Sequence, residues 1–233
     1  MVPGRHNPIV PAVSDRAVRM PASPIRRLVG FALDAETRGV RVHKLNIGQP
    51  DVHSPAAFWR AVANPTNPVL EYSHSAGIAP LRAALSDHYR GRGIDVTPDE
   101  ILVTTGGSEA CLIAMSTLFD PGDECVVVEP FYANYLGFAT QAGVALRPLT
   151  SRIEDDFALP SPEAFAGAIG PRTKGILLCN PSNPTGTAYS SDSLRAIARL
   201  CVEHDLWLVV DEVYRDFYYG DAADLLSVCL LYT

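Results

Sequence analysis

The feature that most restricts the fold is a regular alternation, from about residue 79, of short apolar runs with longer amphipathic segments. The apolar runs have the length of buried strands and lie at residues 101–104, 125–129, 145–149, 175–179 and 207–211. Segments with apolar residues at helical spacing lie at 81–89, 108–119, 132–142, 162–169 and 191–204. Strands that alternate with helices of this length are joined by right-handed crossovers. The sequence therefore predicts an α/β fold, with a mostly parallel sheet and helices on both faces.

Ligands of such sheets bind beyond the carboxyl ends of the strands, so the residues that follow each run are candidate site residues. Four segments hold that position: Gly106-Gly107-Ser108, Glu129-Pro130-Phe131-Tyr132, the loop 180–187, and Asp211-Glu212-Val213-Tyr214. They bring small, aromatic, amide and acidic residues to one predicted edge. We therefore expect the site there.

The turn at Gly106-Gly107-Ser108 opens a predicted helix. Glycines let another group approach the backbone closely, and the free N–H groups at a helix start favour an anion. The alternative is a helix start that Ser108 merely caps. The chain contains neither GxGxxG nor GxxxxGK[ST], which counts against a dinucleotide dehydrogenase and a P-loop NTPase.

Asp211 ends the apolar run LWLVV, where a carboxylate needs a cationic or hydrogen-bonding partner. A protonated heterocyclic nitrogen would serve, and so would a structural salt bridge or a helix cap. The hydroxyl of Tyr214 can return to the same pocket. Tyr132 offers a ring for stacking, although an aromatic residue after a strand also suits the core.

The loop NPSNPTGT, residues 180–187, is the most unusual segment. Pro181 and Pro184 restrict the backbone, and Gly186 permits a conformation that other residues avoid. Such a loop holds Asn183 in a set position. It is either a structural corner or a device that aims an amide at a ligand.

Composition excludes several classes of protein. The net charge of −7, from 19 basic and 26 acidic residues, argues against a nucleic-acid partner. No apolar run approaches the roughly 18–20 residues of a membrane helix, and the start of the chain has no apolar stretch typical of a signal peptide. The 5 cysteines are scattered, without CxxC spacing, which predicts reduced thiols and a cytoplasmic location.

Six ordered segments resemble the class I/II, fold-type I pyridoxal-phosphate aminotransferases, from about residue 43 to about 219. They are LNIGQPD (45–51), YSHSAGIAPLRAAL (72–85), VTTGGSEA (103–110), VVVEPFYANY (126–135), LLCNPSNPTGT (177–187) and LVVDEVYRDF (208–217). The combination of NPxNPTG with a downstream DEVY is highly specific. The resemblance implies pyridoxal 5′-phosphate as cofactor, and an amino acid and a 2-oxo acid as substrates.

The resemblance also implies a role for each matching residue. Gly107, Ser108 and Glu109 match the phosphate-binding turn, and Tyr132 matches the aromatic that stacks on the pyridine ring. Asp211 matches the carboxylate paired with the pyridinium nitrogen. Asn183 and Tyr214 match the groups near the ring 3-hydroxyl, and Asn183 is also expected near the substrate. Gly48 matches a substrate-contacting segment, and Tyr72 a tyrosine that reaches the neighbouring subunit's phosphate, which implies a homodimer.

The lysine that forms a Schiff base with the cofactor in this family has no match. In relatives this lysine lies on the order of 30 residues after the DEVY aspartate, and the two residues hold the cofactor between them. The only lysines here are Lys44 and Lys174. The family's C-terminal arginine and small domain also have no match, so we expect an amino-terminal portion of an aminotransferase. A lyase of the same fold, or a non-catalytic module that binds cofactor or dimerises, remains open.

We accordingly divide the chain into three parts. Residues 1–24 are predicted to form a flexible proline-rich arm, and residues 25–70 a substrate-contacting N-terminal segment that begins with a helix. Residues 71–233 are predicted to form an incomplete cofactor-binding domain.

Overall fold

A computed structural model describes residues 11–22, 26–45, 48, 50, 52–69, 71–220 and 226–231. They belong to two compact units, one drawn from Met1–Pro21 and Gly106–Thr233 and the other from Ala22–Thr105. The units divide the chain at different points from the three predicted parts. The assignment of those parts to an arm, a substrate segment and a cofactor domain stays a prediction.

The first unit is built around a sheet of four parallel strands. They are β1 (Glu124–Glu129), β2 (Ala145–Thr150), β3 (Thr173–Cys179) and β4 (Trp207–Asp211). The strand order is β2-β1-β3-β4, and Cys179 of β3 lies opposite Asp211 of β4 in the register. The predicted α/β fold with a parallel sheet is confirmed, and the carboxyl ends of all four strands share one edge.

Alternate residues of the central strands enter two different cores. Val126 and Val128 pack on one face of β1, together with Phe165 and helix residues 194–201. Cys125 and Val127 pack on the other face, against side chains of residues 115–119 and 135–139. The sheet is therefore covered by helices on both faces, as predicted.

The five helices predicted from residue 79 onward agree with the structure to within about two residues, whereas the helices Asp15–Arg19 and Ala56–Ala63 were not predicted. The helices of the first unit are α1 (Asp15–Arg19), α5 (Gly107–Leu118), α6 (Asn134–Ala142), α7 (Pro162–Ala168) and α8 (Ser191–Glu203). Short 3₁₀ turns occur at Ile153–Asp155, Arg215–Phe217 and Val228–Leu231. Helix α1 was not predicted, since flanking prolines obscure its pattern; its N-cap Ser14 accepts a hydrogen bond from the backbone N–H of Ala17.

The second unit contains helices α2 (Val29–Thr37), α3 (Ala56–Ala63) and α4 (Ala79–Arg90), with 3₁₀ turns at Arg26–Leu28 and Pro98–Glu100. Arg82 ties α4 to the second of these turns, because its Nε donates to the Pro98 carbonyl oxygen at 2.8 Å. No helix among the described residues of either unit is long and apolar enough to cross a membrane.

The strand predicted at residues 101–104 is wrong. The segment is not assigned as a strand and does not belong to the four-stranded sheet; the Val103 N–H donates to the Ala76 carbonyl at 3.0 Å. A strand requires a continuous ladder of such bonds. The turn at Gly106 therefore opens a helix, as predicted, without following a strand.

Gly175 permits the close contact of β3 with its surroundings. A Cβ at this position would lie 2.8 Å from Cζ of Phe119 and 2.9 Å from the backbone oxygen of Trp207. We expect Gly175→Ala to lower the free energy of unfolding by about 1–3 kcal/mol through overpacking, measured by urea denaturation. Gly167→Ala is the control, since no atom lies within 4 Å of its added Cβ. Equal stability of the two variants would contradict the prediction.

Candidate active site

Asp211 is the last residue of β4, and two donors hold its carboxylate. The Tyr135 hydroxyl donates to Oδ2 at 2.7 Å, and the Val213 backbone N–H donates to Oδ1 at 3.1 Å. Among the described residues, Asp211 makes no ion pair with a lysine, arginine or histidine. The carboxylate is thus oriented by neutral groups, and the structural salt bridge considered from the sequence is not present in this part of the chain.

The groups around Asp211 are held in their neutral forms. Burial is the main cause that raises the pKa of the Tyr135 phenol, and nearby Cys179 and Asp211 raise it further. Burial followed by the charge of Asp211 raises the pKa of Cys179, and raises that of Cys111 to about 11. These groups therefore stay protonated near neutral pH and add no further negative charge beside the carboxylate.

Tyr132 lies just beyond β1, half-buried beside this cluster. Its ring meets the Tyr135 ring edge-on, with centroids 5.4 Å apart and planes at 90°. Its hydroxyl accepts a hydrogen bond from Nδ2 of Asn134 at 2.6 Å. Tyr132 packs at the margin of the core, as the core interpretation expects, and its role as a stacking platform stays a prediction.

The loop after β3 is closed by its own backbone. The Ser182 N–H donates to the Thr187 carbonyl and the Gly186 N–H to the Ser182 carbonyl, each at 2.8 Å. Gly186 has φ of +76°, the left-handed conformation that glycine adopts without cost. At the base of the loop, Oδ1 of the buried Asn180 accepts from the Tyr189 N–H at 2.9 Å. The predicted fixed loop around Asn183 is present.

A cavity of about 470 Å³ lies between this loop and the segment after β4. Asn183 and Tyr214 both line it, together with Pro181, Ser182, Pro184, Gly186, Phe217, Tyr218, Tyr219 and Gly220. Its volume is within the usual range for small-molecule sites. The structure thus brings Asn183 and Tyr214 to one cavity, and the chain leads from there to Asp211 within three residues.

The predicted phosphate turn forms the start of α5. Gly106 is the N-cap without a side-chain bond, so Ser108 is the second helical residue and not the cap. The Gly106 carbonyl accepts from the N–H groups of Glu109 and Ala110, at 3.1 and 3.2 Å. The N–H groups of Gly107 and Ser108 precede these bonds and have no acceptor within the helix. The turn is exposed, and no atom lies within 4 Å of a Cβ added to Gly107.

Two predicted residues belong to the other compact unit. Tyr72 is fully exposed, with a relative accessibility of 107%. Gly48 is exposed, and three of its close neighbours, residues 46, 47 and 49, lie outside the described residues. Their roles at a substrate or a second subunit stay predictions.

Sequence reasoning missed Tyr135 and gave no role to Glu212. Tyr135 follows Tyr132 by three residues, and a buried tyrosine needs a partner for its hydroxyl, which was the available signal. Glu212 instead anchors the end of the described chain. Its two carboxylate oxygens each accept from the Ser227 hydroxyl at 3.0 Å, and Oε1 accepts from the Val228 N–H at 3.1 Å.

Comparison with known proteins places this arrangement in a family. The model of the class I and II aminotransferases matches residues 40–231. The chain belongs to this family. Aminotransferases of this class and fold depend on pyridoxal 5′-phosphate.

Individual aminotransferases are similar over most of the chain. It is 37% identical over 212 residues to an aspartate/prephenate aminotransferase of Thermus thermophilus, covering 89% of this chain and 54% of the relative. It is 34% identical to the glutamate-pyruvate aminotransferase AlaA of Escherichia coli, covering 80% and 47%. A solved structure of the Thermus thermophilus aspartate aminotransferase with maleate is 35% identical, with a TM-score of 0.85 over 95% of this chain and 58% of that one. The chain spans about half the length of the curated relatives that it matches.

Proposed function

We propose that the protein is a pyridoxal-phosphate-dependent aminotransferase that moves an amino group between an amino acid and a 2-oxo acid. The observation that carries this proposal is the Asp211 carboxylate, which two neutral donors orient and which pairs with no cation among the described residues. A carboxylate in that setting suits a positively charged partner. A protonated pyridine nitrogen supplies one.

The other residues of the site fit the remainder of the cofactor. Tyr132 presents a ring that would lie against the pyridine plane. Asn183 and Tyr214, which share the 470 Å³ cavity, would donate hydrogen bonds to the phenolic oxygen of the ring. When bound, pyridoxal 5′-phosphate supplies an electron sink for the carbanion at the substrate Cα. Asp211 would strengthen that sink by holding the proton on the ring nitrogen.

The start of α5 fits the phosphate end. The open N–H groups of Gly107 and Ser108 lie at the positive end of the helix dipole, where an anion is stabilised. The Ser108 hydroxyl adds a further donor. Glu109, the third helical residue, has its N–H bonded to Gly106, so we assign it to the turn and not to the phosphate contact.

The proposal includes a cytoplasmic homodimer. Support for the dimer comes from Tyr72, whose fully exposed side chain is available to a second subunit. Support for the location comes from cysteine chemistry, because none of the five cysteines is in a disulfide and three of them are buried.

We expect phosphate recognition to reside in residues 107 and 108. Pyridoxal 5′-phosphate should bind more tightly than pyridoxal, and Ser108→Ala should reduce that difference about tenfold, the effect of one hydrogen bond to a charged group. Isothermal titration with both ligands measures the two dissociation constants. Ser116→Ala, an exposed serine of the same helix, is the control and should leave the ratio unchanged. Equal affinity of the parent chain for both ligands would contradict the proposed function.

A further inference from the structure

Tyr135 contacts both Asp211 and Tyr132, two residues that would face the ring of the proposed cofactor. It lies at the start of α6 with 1% of its surface exposed, and its hydroxyl bonds Asp211, 76 residues further along the chain. The rings of Tyr132 and Tyr135 pack perpendicular to each other. Phe131 stacks on the Tyr135 ring, with centroids 6.3 Å apart and planes at 20°. One side chain therefore touches both the carboxylate and the aromatic platform.

The phenol is a permanent donor toward Asp211. Burial and the adjacent charge raise its pKa, so it stays protonated across the physiological range. The second donor, the Val213 N–H, reaches only Oδ1 and comes from the turn that follows Asp211 itself. The Tyr135 bond to Oδ2 is thus the contact that ties the carboxylate to a separate element of the fold.

We propose that Tyr135 is a positioning residue that fixes the Asp211 carboxylate for pairing with a protonated ring nitrogen, an inference that rests on the proposed function. A carboxylate with one donor on each oxygen cannot rotate freely about its Cβ–Cγ bond. Its remaining lone pairs then keep one direction, which lowers the cost of ordering when a cation binds. Without the phenol, the carboxylate keeps its charge but loses this orientation.

Tyr135→Phe tests the proposal, because it removes one oxygen and keeps the ring that Tyr132 and Phe131 contact. The probe is pyridoxamine 5′-phosphate, which lacks the aldehyde that reacts with lysines. We expect its dissociation constant to rise about tenfold, and the bound ring nitrogen, followed by absorbance against pH, to lose its proton at lower pH than in the parent chain. Tyr135→Met, which also lacks the donor, repeats the test if the first variant does not fold.

Tyr189→Phe is the matched control. Tyr189 is also buried, with 7% exposure, and its hydroxyl interacts with Ser182 instead of Asp211. This variant should lose some stability to urea without moving the titration of the ring nitrogen. A shift in both variants would indicate a general effect of losing a buried hydroxyl, and would overturn the role of Tyr135.

The remaining outcomes separate this inference from the proposed function. If the parent chain binds pyridoxamine 5′-phosphate and Tyr135→Phe titrates as the parent does, the positioning role is wrong and the proposed function stands. Weaker binding with an unchanged titration would mean that Tyr135 only supports the fold. If the parent chain does not bind the probe, the proposed function fails and the inference fails with it.

Discussion

Replacing Asp211 with alanine is expected to reduce kcat by about 10²–10³-fold, as the loss of one preorganised electrostatic partner does in other enzymes. The protein for this test is a form that extends to the length of its relatives and includes a lysine beyond Asp211. Alanine removes the charge that would hold the ring nitrogen protonated. It also leaves the buried Tyr135 hydroxyl without its acceptor. Steady-state transamination with a panel of amino acids and 2-oxoglutarate measures the effect.

Two further substitutions at this position separate charge from packing. Asp211→Asn keeps an oxygen that can accept from Tyr135, removes the charge, and places an NH2 group where Oδ1 accepts from the Val213 N–H, so its loss of activity should approach that of alanine. Asp211→Glu keeps the charge but displaces it by one methylene, and misplacement of about 1 Å costs on the order of 10²-fold. Wild-type turnover of the asparagine variant would show that the carboxylate does not serve the ring nitrogen.

Most strands and helices of the first unit could be predicted because their signals are local. Runs such as 125–129 and 175–179 are continuously apolar, as strands buried on both faces are, and Pro121-Gly122 marks the end of α5. The segment 101–104 carries the same local signal, yet it is not a strand, because a strand also depends on a partner that local sequence does not reveal. Spacing likewise could not show that the chain divides near residues 105 and 106.

The residues of the candidate site could be predicted where the local sequence restricts the backbone or marks the end of a strand. Asn183 lies in a loop whose prolines and Gly186 can be interpreted directly, and Asp211 ends an apolar run. Tyr135 was missed because its bond joins residues 76 positions apart, and such a contact arises only when α6 packs on the sheet. Ser108 was misjudged as a possible cap, since a Gly-Gly-Ser turn does not specify which residue begins the helix.

A polypeptide of these 233 residues is expected to show no transamination, because Lys174, the lysine of the unit that holds Asp211, lies far from that residue along the sheet. Lys174 is the second residue of β3, whose last residue, Cys179, lies opposite Asp211. At about 3.3 Å per residue, Lys174 is about 16 Å from that edge of the sheet, beyond the reach of its side chain. Lys44 belongs to the other unit, where its Nζ pairs with Oε1 of Glu36 at 3.1 Å. The unit that holds Asp211 therefore offers neither covalent attachment for the cofactor nor an amine to move the substrate proton, and loss of such a proton shuttle alone costs about 10²–10⁴-fold in rate.

The decisive experiment treats the polypeptide with pyridoxal 5′-phosphate, reduces it with borohydride and maps modified lysines by mass spectrometry beside an activity assay. We expect substoichiometric labelling and no turnover, whereas a lysine-containing extended form should carry one adduct per chain and transaminate. Lys174→Arg and Lys44→Arg are the controls, and neither should change cofactor binding. A stoichiometric adduct on either lysine, together with turnover that the matching arginine variant abolishes, would show that this chain supplies its own amine. In that case the modified lysine would reach the site in spite of its place near the start of β3, if it is Lys174, or of its ion pair with Glu36, if it is Lys44.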